Sequence, residues 1–159
     1  MEYKMDRLVD FVSPTTAKAV HLVDVENLVG IGKLTAPMVA QARRTYISTV
    51  NPAPNDLVVV ASGVNNAKAV FEGWPRATYR QRKGKDGADL SLVAFFEGIE
   101  HPERFTKVFV ASGDAALAPV AARAKEHGSN VVVVSRAIAC SYAFKNYQVL
   151  VFNSQVTNV

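Results

Sequence analysis

The chain has 159 residues, of which 49% are hydrophobic and 20% are charged, and its formal net charge is +4. This length predicts one domain, residues 1–159, with a full hydrophobic core, and the mild basic excess suits a polyanionic partner. The single cysteine, Cys140, excludes an internal disulfide and a cysteine-rich zinc site. Because there is neither an apolar run near the ~18 residues of a membrane helix nor a signal-peptide core, we expect a cytoplasmic protein without a membrane partner.

Apolar, strand-like runs alternate with amphipathic segments along the chain, with glycine, proline or asparagine at the breaks. The predicted strands are residues 19–25, 57–61 and 77–81, a run beginning at Lys107, and residues 131–134 and 148–152. The predicted helices are residues 1–12, a segment from the N-cap Thr35 to Val50, residues 65–71, 88–98 and 119–127, and a helical turn or two over residues 138–144.

One strand–turn–helix unit occurs twice. Residues 58–64 read VVVASGV and residues 108–114 read VFVASGD, and a helix is predicted after each. Only the second copy carries an acid, Asp114. The Ser-Gly pair suffices for the turn, so the fold does not require this carboxylate.

This alternation predicts an α/β fold. Strands that are apolar throughout belong to a parallel sheet covered by helices on both faces, which makes a single three-layer domain. Right-handed crossovers favour the doubly wound strand order 3-2-1-4-5. The apolar carboxyl-terminal residues 149–152 add a strand at a sheet edge, either in their own chain or in a second copy, as in a homo-oligomer.

In this order the strand at residues 19–25 lies beside the strand that begins at Lys107. Asp24 and Asp114 would then sit at the carboxyl ends of neighbouring strands ~5 Å apart, where ligands bind in open parallel sheets. Asp56 precedes its strand and falls at the opposite rim. A third acid, Asp89, opens a predicted helix. Each acid alone has an ordinary explanation, since acids cap helices and complement helix dipoles.

Three carboxylates in one crevice repel each other unless a cation joins them. Oxygen ligands are those that Mg²⁺ and Mn²⁺ prefer, so a metal site formed by Asp24, Asp89 and Asp114 is expected. The histidines do not cluster with cysteine, and we interpret them as structural or solvated: His21, His101 and His127.

A basic segment lies just before Asp89. Its members Arg80, Arg82, Lys83 and Lys85 are candidate nucleic-acid contacts, and the interleaved Trp74 and Tyr79 offer rings on which unpaired bases stack. The simpler interpretation is a solvated loop, with Trp74 serving as a packing anchor.

Three motifs together resemble the NYN family of PIN-like ribonuclease domains. They are Asp24-Val25-Glu26-Asn27, the run Gly87-Ala88-Asp89-Leu90 preceded by Lys85, and Ser112-Gly113-Asp114. The resemblance implies a PIN-like fold and Mg²⁺- or Mn²⁺-dependent cleavage of RNA, with single-stranded RNA the expected substrate. It implies that Asp24, Asp89 and Asp114 are the metal ligands and, with Asn27, the catalytic residues. Asn27 and Ser112 are the polar helpers, and Ser112 is also a candidate nucleic-acid contact.

The third motif departs from this family, which often continues with a second Asp and then an aromatic residue. Here those positions hold Ala116 and Leu117, and Asp86 is the nearest substitute acid. An alternative is therefore a degraded module that binds RNA or a protein without cleavage. A second alternative is a nucleotide-binding enzyme that uses Ser62-Gly63 and the next helix for phosphate. Neither a GxGxxG fingerprint nor a P-loop lysine motif is present to support it.

Overall fold

A single sheet of six parallel strands organises the molecule. The structure, a computed structural model, describes residues 17–153, and the predicted helix over residues 1–12 lies outside them. The strands are β1 (Ala19–Asp24), β2 (Leu57–Gly63), β3 (Thr78–Arg82), β4 (Lys107–Ala111), β5 (Asn130–Ser135) and β6 (Gln148–Val151). The helices are α1 (Val25–Val29), α2 (Ala36–Val50), α3 (Ala67–Gly73), α4 (Gly87–Glu97) and α5 (Ala118–Glu126).

The strand order is β3-β2-β1-β4-β5-β6, and every pairing is parallel. The predicted α/β class and the predicted order of the first five strands are confirmed. β1 lies between β2 and β4, with Val23 opposite Ala111, so the order reverses beside β1 as in a doubly wound sheet. β6 pairs with β5, with Val134 opposite Leu150, so the carboxyl-terminal strand completes the sheet of its own chain.

Helices cover both faces of the sheet, as continuous apolar strands require. Successive residues of β1 point to opposite faces: Leu22 packs in the cluster that contains Leu92 of α4, whereas Val23 packs in the cluster that contains Tyr46 of α2. Cys140 is half-buried and packs against the first cluster. None of the helices in the described part of the chain is long and apolar enough to cross a membrane.

Local signals explain most helix boundaries. The Thr35 hydroxyl accepts a hydrogen bond from the Met38 amide at 3.3 Å and caps α2, as predicted. Short helix α1 was not predicted, because the apolar run was read as strand up to Val25. Asp24 caps α1, and Gly30, with φ +80°, ends it in the left-handed conformation that suits glycine.

A buried hydrogen-bonded group, His21 with Tyr46 and Asp56, lies away from the edge of the sheet that carries the acids. His21, in the middle of β1, hydrogen-bonds Tyr46 Oη through Nδ1 at 2.7 Å and Asp56 Oδ2 through Nε2 at 2.8 Å. Its ring stacks on Phe109 with centroids 4.3 Å apart. Burial lowers the pKa of His21, which favours the neutral imidazole, so this histidine has a structural role.

Candidate functional site

The structure brings the three predicted acids to one pocket at the carboxyl edge of the sheet. Asp24 ends β1, Asp114 follows β4, and Asp89 lies in the first turn of α4. The pocket has a volume of about 330 Å³. It is lined by Asp24, Glu26, Asn27, Gly30, Ile31, Gly32, Asp86, Ala88, Asp89, Asp114 and Arg136.

Two of these acids are almost fully buried and interact directly. Asp24 is 4% exposed and Asp89 is 5% exposed. Burial, followed by the hydrogen bond and the charge of Asp89, raises the pKa of Asp24 well above its ordinary value. Burial is also the largest cause of the raised pKa of Asp89, and the nearby charge of Asp114 adds to it. Asp89 is therefore within reach of both other carboxyl groups, and the pair cannot ionise fully without a counter-charge.

Asp24 and Asp114 also have a structural role, because each caps the helical turn that follows it. Asp24 Oδ1 accepts from the Asn27 amide at 3.1 Å, and Asp114 Oδ1 accepts from the Ala116 amide at 2.9 Å. Each cap uses one carboxylate oxygen and leaves the other out of the cap. The interpretation of these two acids as helix caps is thus correct, but it accounts for only one of the two oxygens of each carboxylate.

Asp89 has no such role. The residue at the N-cap of α4 is Asp86, whose side chain makes no capping bond, and Oδ1 of Asp89 is buried without a hydrogen-bond partner. Buried acceptors are nearly always paired, so an unpaired carboxylate oxygen needs an explanation. Helix capping does not explain why Asp89 is buried with an unpaired oxygen, so we interpret Asp89 as a candidate ligand-binding residue.

Helix α1 holds both Ser-Gly turns of the repeated unit. Glu26 Oε2 accepts from the Gly63 amide at 2.9 Å and from Asn66 Nδ2 at 2.6 Å. Asn27 Oδ1 accepts from the Gly113 amide at 2.9 Å. Asn27 therefore fixes the turn that carries Asp114, and its amide oxygen is engaged within the protein. Sequence reasoning missed the role of Glu26, although the repeated Ser-Gly pair was the available signal.

Two glycines permit the close approach of these segments. A Cβ on Gly113 would lie 2.3 Å from the carbonyl oxygen of Ala139, and one on Gly87 would lie 2.1 Å from that of Arg82. Gly87 thus lets α4 begin against the end of β3, which places Asp89 in the pocket. Both glycines are required by space rather than by backbone conformation.

Ser112 does not fit its predicted role as a nucleic-acid contact. The residue is fully buried, and its Oγ accepts from the Asp114 amide at 3.2 Å. It supports the turn and does not reach a ligand. Leu117, at the position where the family often has an aromatic residue, is fully buried in the core, whereas Ala116 is exposed. The substitute acid Asp86 lines the pocket, as the sequence had allowed.

The donor set fits a hard cation that keeps some of its water. Within residues 17–153, no group of three or more His, Cys, Asp and Glu side chains stands ready to hold a metal ion. Mg²⁺ is commonly held by one or two carboxylates plus waters and phosphate, so Asp24 and Asp89, whose Oδ1 is unpaired, stay the predicted protein ligands. Direct ligation by Asp114 as well stays a prediction.

The predicted basic residues lie on two sides of the β3–α4 loop. Arg80 and Arg82 point to the same side of edge strand β3 and line a groove of about 610 Å³ together with Arg104 and with Phe95 of α4. The Arg80 guanidinium lies 5.1 Å from the centre of the Phe95 ring. Lys83 lines a separate cavity of about 450 Å³ that shares Glu26, Gly32 and Asp86 with the acidic pocket. Lys85 is exposed on the loop.

The aromatic residues of the basic segment are not stacking platforms. Trp74 is 4% exposed and packs against Tyr46 with ring centroids 5.7 Å apart. Tyr79 is half-buried, and its hydroxyl donates to the Trp74 carbonyl oxygen. Both rings are held by packing, so the interpretation of Trp74 as an anchor is the correct one.

Arg136 is a pocket residue that sequence reasoning missed. It follows β5, the neighbour of β4, and lines the acidic pocket. The signal was present, because residues that follow adjacent parallel strands meet at the same edge of the sheet.

Comparisons of this chain with protein-family models, with curated proteins and with solved structures return no match. The resemblance to NYN domains therefore rests on the motif residues alone and stays a prediction. The doubly wound fold, in contrast, follows from the sheet itself.

Proposed function

We propose that this protein is a metal-dependent nuclease that hydrolyses phosphodiester bonds of single-stranded RNA with Mg²⁺ or Mn²⁺. The observation that carries the proposal is the Asp24–Asp89 pair, which is almost fully buried, includes an unpaired Asp89 oxygen and lines a pocket at the ligand-binding edge of the sheet. Neither helix capping nor packing accounts for Asp89. A divalent cation would neutralise the pair and supply the missing partner.

A bound ion would supply the positive charge on which a phosphate oxygen and an attacking water both depend. Asp24 and Asp89 would hold that charge, and the cap on the Asn27 amide would keep Asp24 in position. Asp114, which is only half-buried, would accept the proton that the attacking water loses. Asn27 would keep Asp114 at the pocket through its bond to Gly113.

The groove along β3 supports RNA as the substrate. Its three arginines, Arg80, Arg82 and Arg104, would contact successive phosphates, which supply most of the affinity for a single strand without reading its sequence. The groove runs along α4 from Ser91 to Gly98 and, among the described residues, shares no lining residue with the acidic pocket, so a strand lying in it would reach Asp89 by passing the first turn of α4.

The test is cleavage of a 5′-labelled single-stranded RNA by the full chain with Mn²⁺, with Mg²⁺ and with EDTA. We expect cleavage that needs the metal and that falls at least ~100-fold in Asp24→Asn and Asp89→Asn, because each variant removes a carboxylate from the metal pair. The matched control is Glu97→Gln, an exposed acid at the other end of α4. Activity that resists EDTA, or that survives both substitutions, would refute the proposal.

A second candidate is a module that binds RNA without cutting it. Ala116 and Leu117, which replace the acid and aromatic positions of the motif, favour it. It predicts retention of the labelled RNA that is insensitive to EDTA, with no product at any metal concentration.

The nucleotide-binding alternative has lost its structural basis. The Gly63 amide, which a phosphate at Ser62-Gly63 would need, already donates to Glu26 Oε2 at 2.9 Å. The Ser62 hydroxyl donates to the Gly63 carbonyl oxygen at 2.9 Å. Both donors are occupied within the protein.

A further inference from the structure

Arg136 brings a positive charge to a pocket that is otherwise acidic. Among the described residues that line this pocket it alone is basic, and five acids line it as well: Asp24, Glu26, Asp86, Asp89 and Asp114. The residue is half-buried, directly after β5. An arginine in this position either neutralises the acids or binds something that they hold.

The backbone of helix α1 holds the Arg136 side chain. Its Nε donates to the Asn27 carbonyl oxygen at 2.9 Å. The guanidinium passes against Gly30, where an added Cβ would lie 2.7 Å from Cζ. Glycine at position 30 is therefore needed for two reasons: α1 ends there in the left-handed conformation, and a side chain would occupy the space of the Arg136 guanidinium.

Arg136 is not used as a counter-ion by the acids around it. Its hydrogen bond goes to a backbone carbonyl, and within residues 17–153 no carboxylate forms an ion pair with it. A guanidinium has five N–H donors, and Nε accounts for one of them. The four Nη donors form the planar fork that matches two oxygens of a phosphate. The Arg136 side chain is fixed by its bond to the backbone, and its Nη groups remain as donors, so it is preorganised to bind an anion.

We propose that Arg136 binds the non-bridging oxygens of the phosphodiester that is cleaved in the acidic pocket. This inference rests on the proposed nuclease function. As the oxygen of water bonds to phosphorus and the bond from phosphorus to the leaving oxygen breaks, negative charge grows on these oxygens. The proton of the water passes to Asp114, and the leaving oxygen takes a proton from solvent. Arg136 stabilises the growing charge, and Asp24 and Asp89 would hold a cation that shares in this stabilisation.

The test combines kinetics with two binding measurements on the full chain, using Arg136→Met, Arg136→Lys and, as a matched control, Arg44→Met. Arg44 is exposed on α2 and bonds only to Gln41 of the same helix. We expect Arg136→Met to lower kcat for the RNA about 10²-fold with little change in KM, since donors aimed at developing charge act mainly in the transition state. Adenosine 5′-monophosphate serves as the phosphate probe. In the presence of Mn²⁺ it should bind to Arg136→Met at least ~10-fold more weakly than to wild type, and Arg136→Lys should recover part of this affinity.

The second measurement is Mn²⁺ affinity by calorimetry, with folding checked by circular dichroism. A phosphate-binding role leaves Mn²⁺ affinity within about two-fold of wild type, since within residues 17–153 no carboxylate forms an ion pair with Arg136. If Arg136→Met instead tightens Mn²⁺ binding and keeps wild-type kcat and nucleotide affinity, the arginine is only a counter-charge and the inference is overturned. A wild-type protein that cleaves no RNA would refute the nuclease proposal. The Mn²⁺-dependent binding of the nucleotide would then still decide the role of Arg136, and its absence in wild type would overturn that role too.

Discussion

Replacing Asp89 by asparagine should stabilise the metal-free protein and abolish its stabilisation by metal. The substitution keeps the shape of the side chain and removes the charge from a residue that is 5% exposed. In the wild type, burial and the neighbouring acids raise the pKa values of both Asp24 and Asp89 in the folded state. The folded protein therefore binds protons more tightly than the unfolded chain, and its stability falls as the pH rises above the ordinary value of 3.8 towards the folded-state pKa values.

The size of the effect follows from the charge on the unpaired buried oxygen, because asparagine keeps an oxygen there and removes the charge. A buried polar group left without a partner costs about 1–3 kcal/mol, and more when it is charged. Asp89→Asn should therefore raise the free energy of unfolding by at least about 1 kcal/mol at pH 8, and the gain should shrink at pH 5, where the wild-type pair binds protons more readily. Mn²⁺ at 100 times its dissociation constant should stabilise the wild type by about 2.7 kcal/mol, or roughly 5–11 °C in Tm.

The assay is thermal unfolding at pH 5 and pH 8, with EDTA or with Mn²⁺. Wild type should show the metal-dependent rise in Tm, whereas Asp89→Asn should start higher at pH 8 and gain little from Mn²⁺. Glu97→Gln removes an exposed charge from the same helix and should stay within about 0.5 kcal/mol of wild type in every condition. A metal-free Asp89→Asn protein less stable than wild type at pH 8, or one that keeps the full Mn²⁺ shift, would show that the pair does not bind a cation.

Three other substitutions test the surroundings of the acids. Gly113→Ala should destabilise the protein by about 1–3 kcal/mol in urea unfolding, because its Cβ would lie 2.3 Å from a backbone oxygen, whereas Gly32→Ala, with open space around it, should be nearly neutral. Asn27→Ala leaves the buried Gly113 amide without its acceptor and should cost about 1–3 kcal/mol by the same measurement; an unchanged urea midpoint would argue against this bond. Arg82→Ala should weaken RNA binding and reduce the slope of log affinity against log salt by about 0.7 in fluorescence anisotropy, and a slope equal to that of the Arg44→Ala control would remove Arg82 from the RNA path.

The repeated strand–turn–helix unit shows which features of the site a local sequence pattern predicts and which it does not. Two copies of apolar strand, Ser-Gly and helix predict two equivalent turns at one edge of the sheet, and both are found, at Gly63 and Gly113. What the pattern could not supply is the residue that binds each turn. Glu26 and Asn27 are consecutive in the sequence, yet their side chains reach strands on opposite sides of β1. The divergence follows from the short helix α1, which turns consecutive side chains in different directions and which the strand-like pattern up to Val25 does not predict.

The sequence by itself determined the α/β class, the order of the strands and the common edge of Asp24 and Asp114. These features depend on hydrophobic periodicity and on the handedness of crossovers, which are local or generic properties of any chain. Only the tertiary structure decided that Asp89 is buried without a partner, that Ser112 is enclosed and that Arg136 enters the pocket. The direction and solvent exposure of a side chain are set by packing between elements far apart in the chain, and no local pattern encodes them.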